Sequence, residues 1–369
     1  MLVIGCLSGT SMNAKEFILC EIKKDKIKPI NYFSEKYDEY ERSILKDITI
    51  FGGDVQKIAT AHDLVGISFS SSLKKFLENN LLKKNVPEII GFHGQTIFHS
   101  ELSRSYIKHQ KLIKTRAITF QIGEPAFLAR ISQKPVVYDF RKIDISAGGR
   151  GAPLSPLIHY ILFKKYGKKV CVLNLGGIAN ISIIQGENFS QVRGFDVGPA
   201  NALCDHIAKI KLKTEYDPEG RYAREGKILE RDFSKLYRIF KTKNRSLGVE
   251  VEKAKIISEK IFKDKNPKDS LRTALEVSVR LITDTINKIR PNIVILCGGG
   301  ARNKFFVERI SEESKTKVIL SDELGMKAEY VEPILFAFLS YLRIRNIRIN
   351  MQNITGAKIP YLPGKICTF

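Results

Sequence analysis

The chain has 369 residues, and since about 150 residues make a typical domain, this length predicts two domains. Hydrophobic residues make up 43% of the sequence and charged residues 27%, which excludes a wholly disordered chain. No apolar run approaches the roughly 18 residues of a transmembrane helix, the N-terminus has no basic leader, and the cysteines lack metal or redox spacing. We therefore expect a soluble cytoplasmic protein without a membrane partner.

Basic residues outnumber acidic ones, at 61 against 39, which gives a formal net charge of +22. One interpretation is a surface for nucleic acid or an anionic membrane. The other is a solvated lysine surface, because the lysine clusters fall in turns and at helix ends and no nucleic-acid-binding motif is present. We favour the second and expect no nucleic-acid partner, although a basic field would attract an acidic substrate such as a nucleotide.

The first part of the chain predicts a β-hairpin followed by a helix and further strands. Apolar runs at residues 2–7 and 17–22 flank small and hydroxyl residues, and a third strand at 27–33 contains Pro29, which places it at a sheet edge. Residues 54–82 carry apolar side chains three or four apart, which predicts one long amphipathic helix or two shorter ones. Residues 88–92, 119–122 and 135–140 predict buried strands, with a short helix at 125–131.

The second part of the chain repeats this alternation. A strand at 170–175 runs into Gly176 and Gly177, and a strand at 181–184 follows, as a loose echo of residues 2–22. A helix at 271–289, a strand at 292–296, a glycine turn and a helix at 332–345 complete the pattern, while residues 214–266 predict exposed helices and loops. The fold class is therefore α/β, with domains at 1–155 and 156–369, and related halves with a nucleotide between them are one explanation.

Small or glycine-rich turns follow four of the predicted strands. They are residues 8–11, 91–96, 174–177 and 297–300. Several backbone N–H groups can approach a phosphate only where no Cβ stands in the way. Any one of these segments alone is better explained as a tight turn, but four at strand ends predict a nucleotide site.

Two further segments carry candidate chemistry. Asp139 and Arg141 follow a strand and precede a glycine-rich loop at 147–151, which suits a polyhydroxylated ligand, although an internal ion pair is an equal alternative. Asp196 lies in a shaped turn and suits a general base, with an Asx-type cap of the next helix as the alternative. His93 and His99 have no metal-ligand spacing, so we expect no protein metal site.

A series of short motifs runs through most of the chain in a fixed order. They are SGTSM at 8–12, GFHGQTIFH at 91–99, TFQIGEP at 119–125, VYDFRKIDISAGGRGAP at 137–153, LNLGGIANIS at 173–182, GFDVGPANALCD at 194–205, CGGGARN at 297–303 and TGA at 355–357. With residues 332–337, these motifs resemble the anhydro-N-acetylmuramic acid kinase family. The resemblance implies the two-domain fold of the sugar kinase, Hsp70 and actin superfamily, with ATP in an interdomain cleft.

The resemblance also implies an activity and a set of site residues. ATP and water would convert 1,6-anhydro-N-acetylmuramic acid into N-acetylmuramic acid 6-phosphate in cell-wall recycling, with Mg²⁺ as cofactor, and a homodimer is compatible with the family. Asp196 corresponds to the catalytic base. The nucleotide residues by this match are Ser8, Gly9, Thr10, Ser11, Met12, Asn13, Gly176, Gly177, Gly298, Gly299 and Gly300. The residues expected to line or brace the sugar site are His93, Gln95, Asp139, Arg141 and Glu332.

The sequence departs from the family pattern near the first phosphate loop. Asn13 and Ala14 stand where the family has Asp and Gly, and Lys15 adds a cation that would contact phosphate or face solvent. Arg150 replaces a Gln, Ala200 replaces a Gly, and residues 241–246 match a family segment weakly. These departures leave open an alternative function, a degenerate member that binds nucleotide or cell-wall fragments without efficient turnover.

Overall fold

The computed structural model describes residues 1–9, 12–78, 85–101, 104–108, 111–115, 117–240 and 248–369. The chain forms two compact units, Met1–Leu162 with Glu332–Phe369 (unit 1) and Phe163–Val331 (unit 2). Each unit combines a mixed β-sheet with helices, so the α/β class is confirmed. Among the described residues, no helix has both the length and the apolar character that crossing a bilayer requires.

The predicted strands and helices are present, but β4 continues through the predicted turn at 91–96, and several further elements were not predicted. The strands are β1 (Leu2–Ser8), β2 (Ala14–Lys23), β3 (Lys26–Lys36), β4 (Ile89–Ser100), β5 (Arg104–Lys108), β6 (Lys111–Thr115), β7 (Ile118–Ile122), β8 (Val136–Tyr138), β9 (Lys169–Leu175), β10 (Ile178–Gln185), β11 (Arg193–Pro199), β12 (Ile293–Cys297), β13 (Val318–Leu320) and β14 (Lys365–Cys367). The α-helices are α1 (Glu39–Phe51), α2 (Val55–Leu77), α3 (Pro125–Ser132), α4 (Phe140–Ser146), α5 (Ser155–Phe163), α6 (Asn201–Leu212), α7 (Arg221–Glu225), α8 (Glu230–Phe240), α9 (Gly248–Phe262), α10 (Pro267–Ile289), α11 (Lys304–Glu313) and α12 (Val331–Ile344).

The sheet of unit 1 has the order β14-β8-β4-β1-β2-β3, with β7 paired to β4. The predicted edge position of β3 is confirmed, and the register of β2 and β3 shifts where Cys20 meets Pro29. The predicted helix at 54–82 is one helix, α2, and it packs its apolar side chains against the sheet. Phe69 of α2 lies 5.6 Å from Phe17 and 5.0 Å from Phe92 between ring centroids. This aromatic cluster is the centre of the core.

The opposite face of this sheet is covered by α12, which touches the strands at two glycines. Gly5 of β1 and Gly91 of β4 lie side by side in parallel register. A Cβ at Gly5 would stand 2.0 Å from the Pro333 carbonyl oxygen, and one at Gly91 would stand 2.3 Å from that of Phe336. Glycine is therefore required at both positions by the close approach of the helix backbone.

The C-terminal segment differs from the prediction. Residues 332–369, predicted in the second domain, belong to unit 1. Their contacts explain this assignment, because α12 lies on β1 and β4, and β14 pairs antiparallel with β8. Such pairing joins residues more than two hundred positions apart, which local periodicity does not reveal.

Unit 2 has a five-stranded sheet in the order β11-β10-β9-β12-β13. Strands β9, β12 and β13 run parallel, whereas β10 and β11 are antiparallel to their neighbours. Among the described residues of the helices in unit 2, α10 has the most that are buried, on nearly every turn, and it contacts α6, α7, α8 and α11. The predicted helix at 271–289 is thus confirmed.

Candidate functional site

The first candidate phosphate loop connects β1 to β2 in unit 1. Ser8 is the last, buried residue of β1 and pairs with Lys15. Met12 has a positive φ of 54°, its N–H donates to the Gly9 carbonyl at 3.1 Å, and its side chain is buried in the core. Any part of Met12 in nucleotide binding therefore falls to its backbone. Thr10 and Ser11, predicted for the same loop, lie outside the described residues, as do 241–246.

Asn13 and Lys15, the departures from the family pattern, both have partners in unit 1. The exposed Asn13 side chain accepts a hydrogen bond from Arg42 at 2.7 Å. Lys15 is buried, donates to Ser68 Oγ at 2.6 Å, and lies 3.8 Å from a Glu41 oxygen. Burial lowers the pKa of its ammonium, and the neighbouring glutamates oppose this effect. Lys15 therefore belongs to an internal ion-pair group and neither faces solvent nor stands free for phosphate.

Gln95 lies beneath the first loop. Ser8 of β1 is paired with Gln95 of β4, whose side chain is fully buried. Its Nε2 donates to the carbonyls of Gly9 at 3.3 Å and Thr96 at 3.1 Å, while its Oε1 has no hydrogen-bond partner among the described residues. The structure thus brings Gln95, predicted for the sugar site, to the base of the loop.

The half-buried Arg141 and the buried His93 are hydrogen-bonded to each other in unit 1. Arg141 Nε donates to His93 Nε2 at 3.0 Å, and Nη1 donates to the Gly151 carbonyl at 3.0 Å. Since Nε2 accepts, the proton of the neutral ring is on Nδ1, which lies 3.1 Å from the Gly94 carbonyl. Burial, aided by the Arg141 charge, holds the pKa of His93 well below its usual value. Burial also lowers the pKa of Arg141, which Glu332 and Asp144 oppose.

Asp139 is engaged in an ion pair, but its partner is not Arg141. It precedes α4 with a left-handed φ of 59°, and its carboxylate accepts from Lys365 of β14 at 2.7 Å. The alternative of an ion pair between Asp139 and Arg141 is therefore not what the structure contains, because Asp139 pairs with Lys365. In that arrangement Asp139 joins β14 to the start of α4.

Asp144 anchors the glycine-rich loop, a role that the sequence did not reveal. Its buried carboxylate accepts from Thr355 Oγ1 at 2.7 Å, from the Tyr361 hydroxyl at 2.6 Å and from the Gly151 N–H at 2.7 Å. The Gly151 carbonyl in turn accepts from Arg141. The signal was present as separate segments, AGG at 147–149 and TGA at 355–357, whose contact is non-local.

The glycine turns of unit 2 follow two neighbouring parallel strands. Strand β12 pairs with β9 so that Cys297 lies opposite Asn174. Gly176 and Gly177 follow β9, and Gly298–Gly300 follow β12, so both turns lie at the carboxyl edge of the sheet. This edge is where ligands bind in α/β folds.

These five glycines divide into two kinds. A Cβ at Gly298 would lie 2.2 Å from Asn174 Oδ1, and one at Gly300 would lie 2.7 Å from Leu175 Cβ. At Gly299 no atom lies within 4 Å, and at Gly176 and Gly177 the nearest atoms lie at 3.5 and 3.7 Å. Gly298 and Gly300 are thus required by packing, whereas the other three leave open backbone that a ligand can approach.

Asp196 is half-buried on β11 opposite Asn180, beside a register shift in the β10–β11 pair. Asp196 is not the N-cap residue of the next helix. Helix α6 has Ala200 at its N-cap, and Ala200 makes no side-chain cap. The N–H groups of residues 200–202 donate to the carbonyls of Gly176 and Gly177.

Glycine turns at the carboxyl edge of parallel strands define the class, a nucleotide-binding α/β protein. The model of the family described as anhydro-N-acetylmuramic acid kinase matches residues 1–368, and the chain belongs to this family. The predicted family, and with it the enzyme class of a sugar kinase that uses ATP, is confirmed.

Relatives match over nearly the whole chain. The anhydro-N-acetylmuramic acid kinase of Sulfurimonas denitrificans is 32% identical, with 98% of each chain covered. That of Pseudomonas syringae is 31% identical, with 96% of each covered. Among solved structures, a ROK family glucokinase from Streptomyces griseus in complex with glucose and AMPPNP aligns with 92% of this chain and 99% of its own, at 12% identity and a TM-score of 0.41. This last similarity is one of backbone fold alone.

Proposed function

We propose that this protein is a cytoplasmic ATP-dependent kinase that opens 1,6-anhydro-N-acetylmuramic acid with water and phosphorylates O6 in cell-wall recycling. The observation that carries the proposal is Asp196, which by its motif corresponds to the family's base, lies half-buried on β11 and is not the N-cap residue of the next helix. Full-length membership of the family supports the substrate class. The products are N-acetylmuramic acid 6-phosphate and ADP.

The chemistry balances with one water and one ATP. Asp196 accepts a proton from the water that attacks the anomeric carbon, and the bond from that carbon to O6 breaks. O6 then attacks the γ-phosphorus, and the bond from phosphorus to the bridging oxygen of ADP breaks. Strain in the bicyclic sugar favours the first step, and the second depends mainly on positioning and charge neutralisation.

We propose nucleotide-binding residues in each unit taken by itself: Gly9 and Asn13 in the loop of unit 1, and the two glycine turns in unit 2. The exposed faces of Gly176, Gly177 and Gly299 admit phosphate oxygens to backbone N–H groups. Gly298 and Gly300 allow the turn after β12 to pack closely against β9. The basic surface would attract a polyanion such as the nucleotide. We propose, however, that the protein binds no nucleic acid. Steeply salt-sensitive binding to random duplex DNA would contradict that proposal.

Within the part of the chain that the structure describes, side chains form no cage for a divalent cation. The described residues contain no group of three His, Cys, Asp or Glu side chains arranged to hold a metal ion. Asn13 offers only a neutral carbonyl oxygen, and Arg42 already donates to it. The residues therefore do not fit a Mg²⁺ site made by side chains, and the ion would be held by nucleotide phosphates and water.

The sugar is proposed to bind beside Arg141 in unit 1. Two of its nitrogens hold His93 and Gly151, while Nη2 has no hydrogen-bond partner among the described residues. A guanidinium fixed in this way offers donors to a carboxylate or amide of the sugar, and Glu332 offers an acceptor to a hydroxyl or water. Asp139 braces this region through Lys365.

The test is a mass-spectrometric assay with Mg·ATP and 1,6-anhydro-N-acetylmuramic acid in ¹⁸O-water. The wild type should give a 6-phosphorylated product labelled at the anomeric carbon. Asp196→Asn should fold normally and lose about 10³-fold or more in kcat, as expected when a general base is removed. Glu187→Gln, which removes an exposed carboxylate from the β10–β11 connection, is the matched control. Full turnover in Asp196→Asn would refute the assignment of the base.

A second candidate function is the binding of nucleotide or cell-wall fragments without efficient turnover. The hydrogen bond between Asn13 and Arg42 supports this candidate. Asn13 and Ala14 replace residues of the family's phosphate loop, and the Asn13 oxygen is already engaged. If the protein is an impaired kinase, Asn13→Asp with Ala14→Gly should raise kcat. If it binds nucleotide without turnover, the double variant should remain inactive.

A further inference from the structure

An open cavity of about 620 Å³ lies in unit 2 between the start of α8 and the end of α9. Its lining comes from residues 229–235 and 260–265. Residues 241–247, which lie outside the described part of the chain, follow the opposite end of α8. The volume falls in the range of sites for small molecules, about 300–1,000 Å³. The cavity is therefore large enough for a ligand and is formed by residues that the structure describes.

Basic side chains predominate in the lining of this cavity. The basic residues are Arg231, Lys235, Lys260 and Lys265, and the acidic ones are Glu230 and Asp232, which leaves a net charge of +2. Lys235 lies 3.6 Å from the buried Asp232 carboxylate, so these two charges compensate each other. Among the described residues, Arg231, Lys260 and Lys265 have no acidic partner within ion-pair distance, unlike Arg309, which contacts three glutamates. The cavity thus gathers three uncompensated cations.

The two basic residues of α8 are placed against the preferences of the helix itself. Arg231 is the second residue of α8, at the end where the helix dipole disfavours a cation. Lys235 follows four residues later, so two like charges are neighbours on the helix surface, which destabilises a helix. Lys260, in the last turn of α9, is by contrast favoured by the dipole of that helix. An anion in the cavity explains Arg231 and Lys235, whereas helix stability does not.

The rest of the lining indicates what kind of molecule carries the anion. The apolar lining residues are Leu229 and Ile261, and the lining includes no aromatic side chain on which a nucleotide base would stack. The volume far exceeds that of an inorganic ion. The exposed Glu230 carboxylate is an acceptor for hydroxyl groups, at the same opening as the cations. These features suit a polyhydroxylated molecule with one strongly anionic end.

We propose that this cavity binds a sugar phosphate, with Arg231, Lys260 and Lys265 around the phosphate and Glu230 accepting from sugar hydroxyls. Cations that line one opening reinforce each other's attraction for a dianion, and charge-assisted hydrogen bonds fix it there. The site is formed by helix ends, whereas the glycine turns of unit 2 follow strands β9 and β12. It shares no residue with the proposed nucleotide and sugar sites, and the inference does not depend on the proposed reaction.

The test is calorimetric titration at low ionic strength with glucose 6-phosphate, inorganic phosphate and glucose, without ATP. Arg231→Gln with Lys260→Gln is the cavity variant. Arg238→Gln with Lys253→Gln is the matched control, because it changes the net charge equally, on the same two helices, at exposed residues outside the lining. The wild type and the control should bind glucose 6-phosphate alike, and the cavity variant about 10-fold or more weakly, as expected when charged hydrogen bonds are lost.

Hydrogen exchange locates the ligand, since glucose 6-phosphate should protect residues 229–235 and 260–265. Equal affinity in the cavity variant and the control, or no binding by the wild type, would overturn the proposal. Inorganic phosphate that binds as tightly as glucose 6-phosphate would overturn the assignment of a sugar phosphate, as would equally tight binding of glucose. Lys265→Gln, compared with the exposed Lys263→Gln, gives the same test if the double variant does not fold.

Discussion

Asp144→Asn tests whether the buried Asp144 carboxylate stabilises unit 1. The carboxylate accepts three hydrogen bonds at 2.6–2.7 Å, from Thr355, Tyr361 and the Gly151 N–H, and is inaccessible to solvent. The backbone N–H of Gly151 cannot turn, so the amide oxygen must face it and the amide NH₂ must face two hydroxyls. Both hydroxyls then have to rotate, and their charge-assisted bonds are lost.

The expected loss of stability follows from the type of hydrogen bond that Asp144→Asn weakens. A hydrogen bond to a charged group contributes about 1.5–3 kcal/mol net, and two of the three are weakened here. We take the lower end because the buried carboxylate also carries a desolvation cost, and expect Asp144→Asn to lose about 3 kcal/mol. Tyr361→Phe should lose about 1.5 kcal/mol, because Thr355 and Gly151 still satisfy the carboxylate.

The assay is urea unfolding followed by far-UV circular dichroism and by tyrosine fluorescence, since the sequence contains no tryptophan. Hydrogen exchange of residues 147–153 assigns the change to unit 1, because two compact units need not unfold together. The exposed Ser146→Ala on the same helix is the control and should change stability by less than about 0.5 kcal/mol. A loss below that value in Asp144→Asn would refute the reasoning. The sugar KM should also rise, since Gly151 holds Arg141.

Three further predictions address other parts of the molecule. Gly300→Ala should lose about 1–3 kcal/mol because its Cβ would meet Leu175 at 2.7 Å, whereas Gly299→Ala should keep thermal stability but weaken ADP binding. Burial raises the pKa of Asp205 to about 7, so folding favours the neutral acid and this contribution is lost as pH rises from about 4 through 7. Asp205→Asn should therefore be more stable than the wild type by about 2 kcal/mol at pH 8 and equal to it at pH 4, as measured by urea unfolding. Asp139→Asn and Lys365→Met should each lose at most about 1 kcal/mol and raise the sugar KM alike, because both remove the same brace, whereas a larger KM increase in Asp139→Asn would show a direct sugar contact.

The sequence predicted the elements whose signal is local. The hairpin of β1 and β2, the edge strand with Pro29, the long α2 and the buried β12 all follow from periodicity and turn residues. For Lys15, the sequence contains a signal for burial. Lys15, Phe17 and Leu19 lie two residues apart along β2, so their side chains share one face of the strand, which is the buried face. The charge of the side chain suggested the opposite.

Contacts between distant segments were not predictable in the same way. Asp144 meets Thr355 and Tyr361 across more than two hundred residues, and no periodicity joins them. The same holds for the pairing of β14 with β8 that brings Lys365 to Asp139. Family motifs marked 355–357 as significant without indicating what the segment touches. Asp144 and Asp139 act by positioning other residues, and this role can be recognised only when their bonding partners are known.

The glycines at 5 and 91 connect packing to the candidate site. Because neither carries a Cβ, the backbone of α12 lies against β1 and β4. This approach sets Phe336 against the His93 ring, with centroids 4.4 Å apart, and Glu332 lies one turn earlier on the same helix face. The Glu332 charge acts on Arg141, and Arg141 holds His93. An alanine at residue 91 would push the helix away by way of the Phe336 carbonyl, so its effect should fall on sugar binding as well as on stability. Gly91, which looks like a phosphate-turn residue in the sequence, is therefore a packing residue, through which a helix of the C-terminal segment approaches Arg141, the proposed sugar-binding arginine.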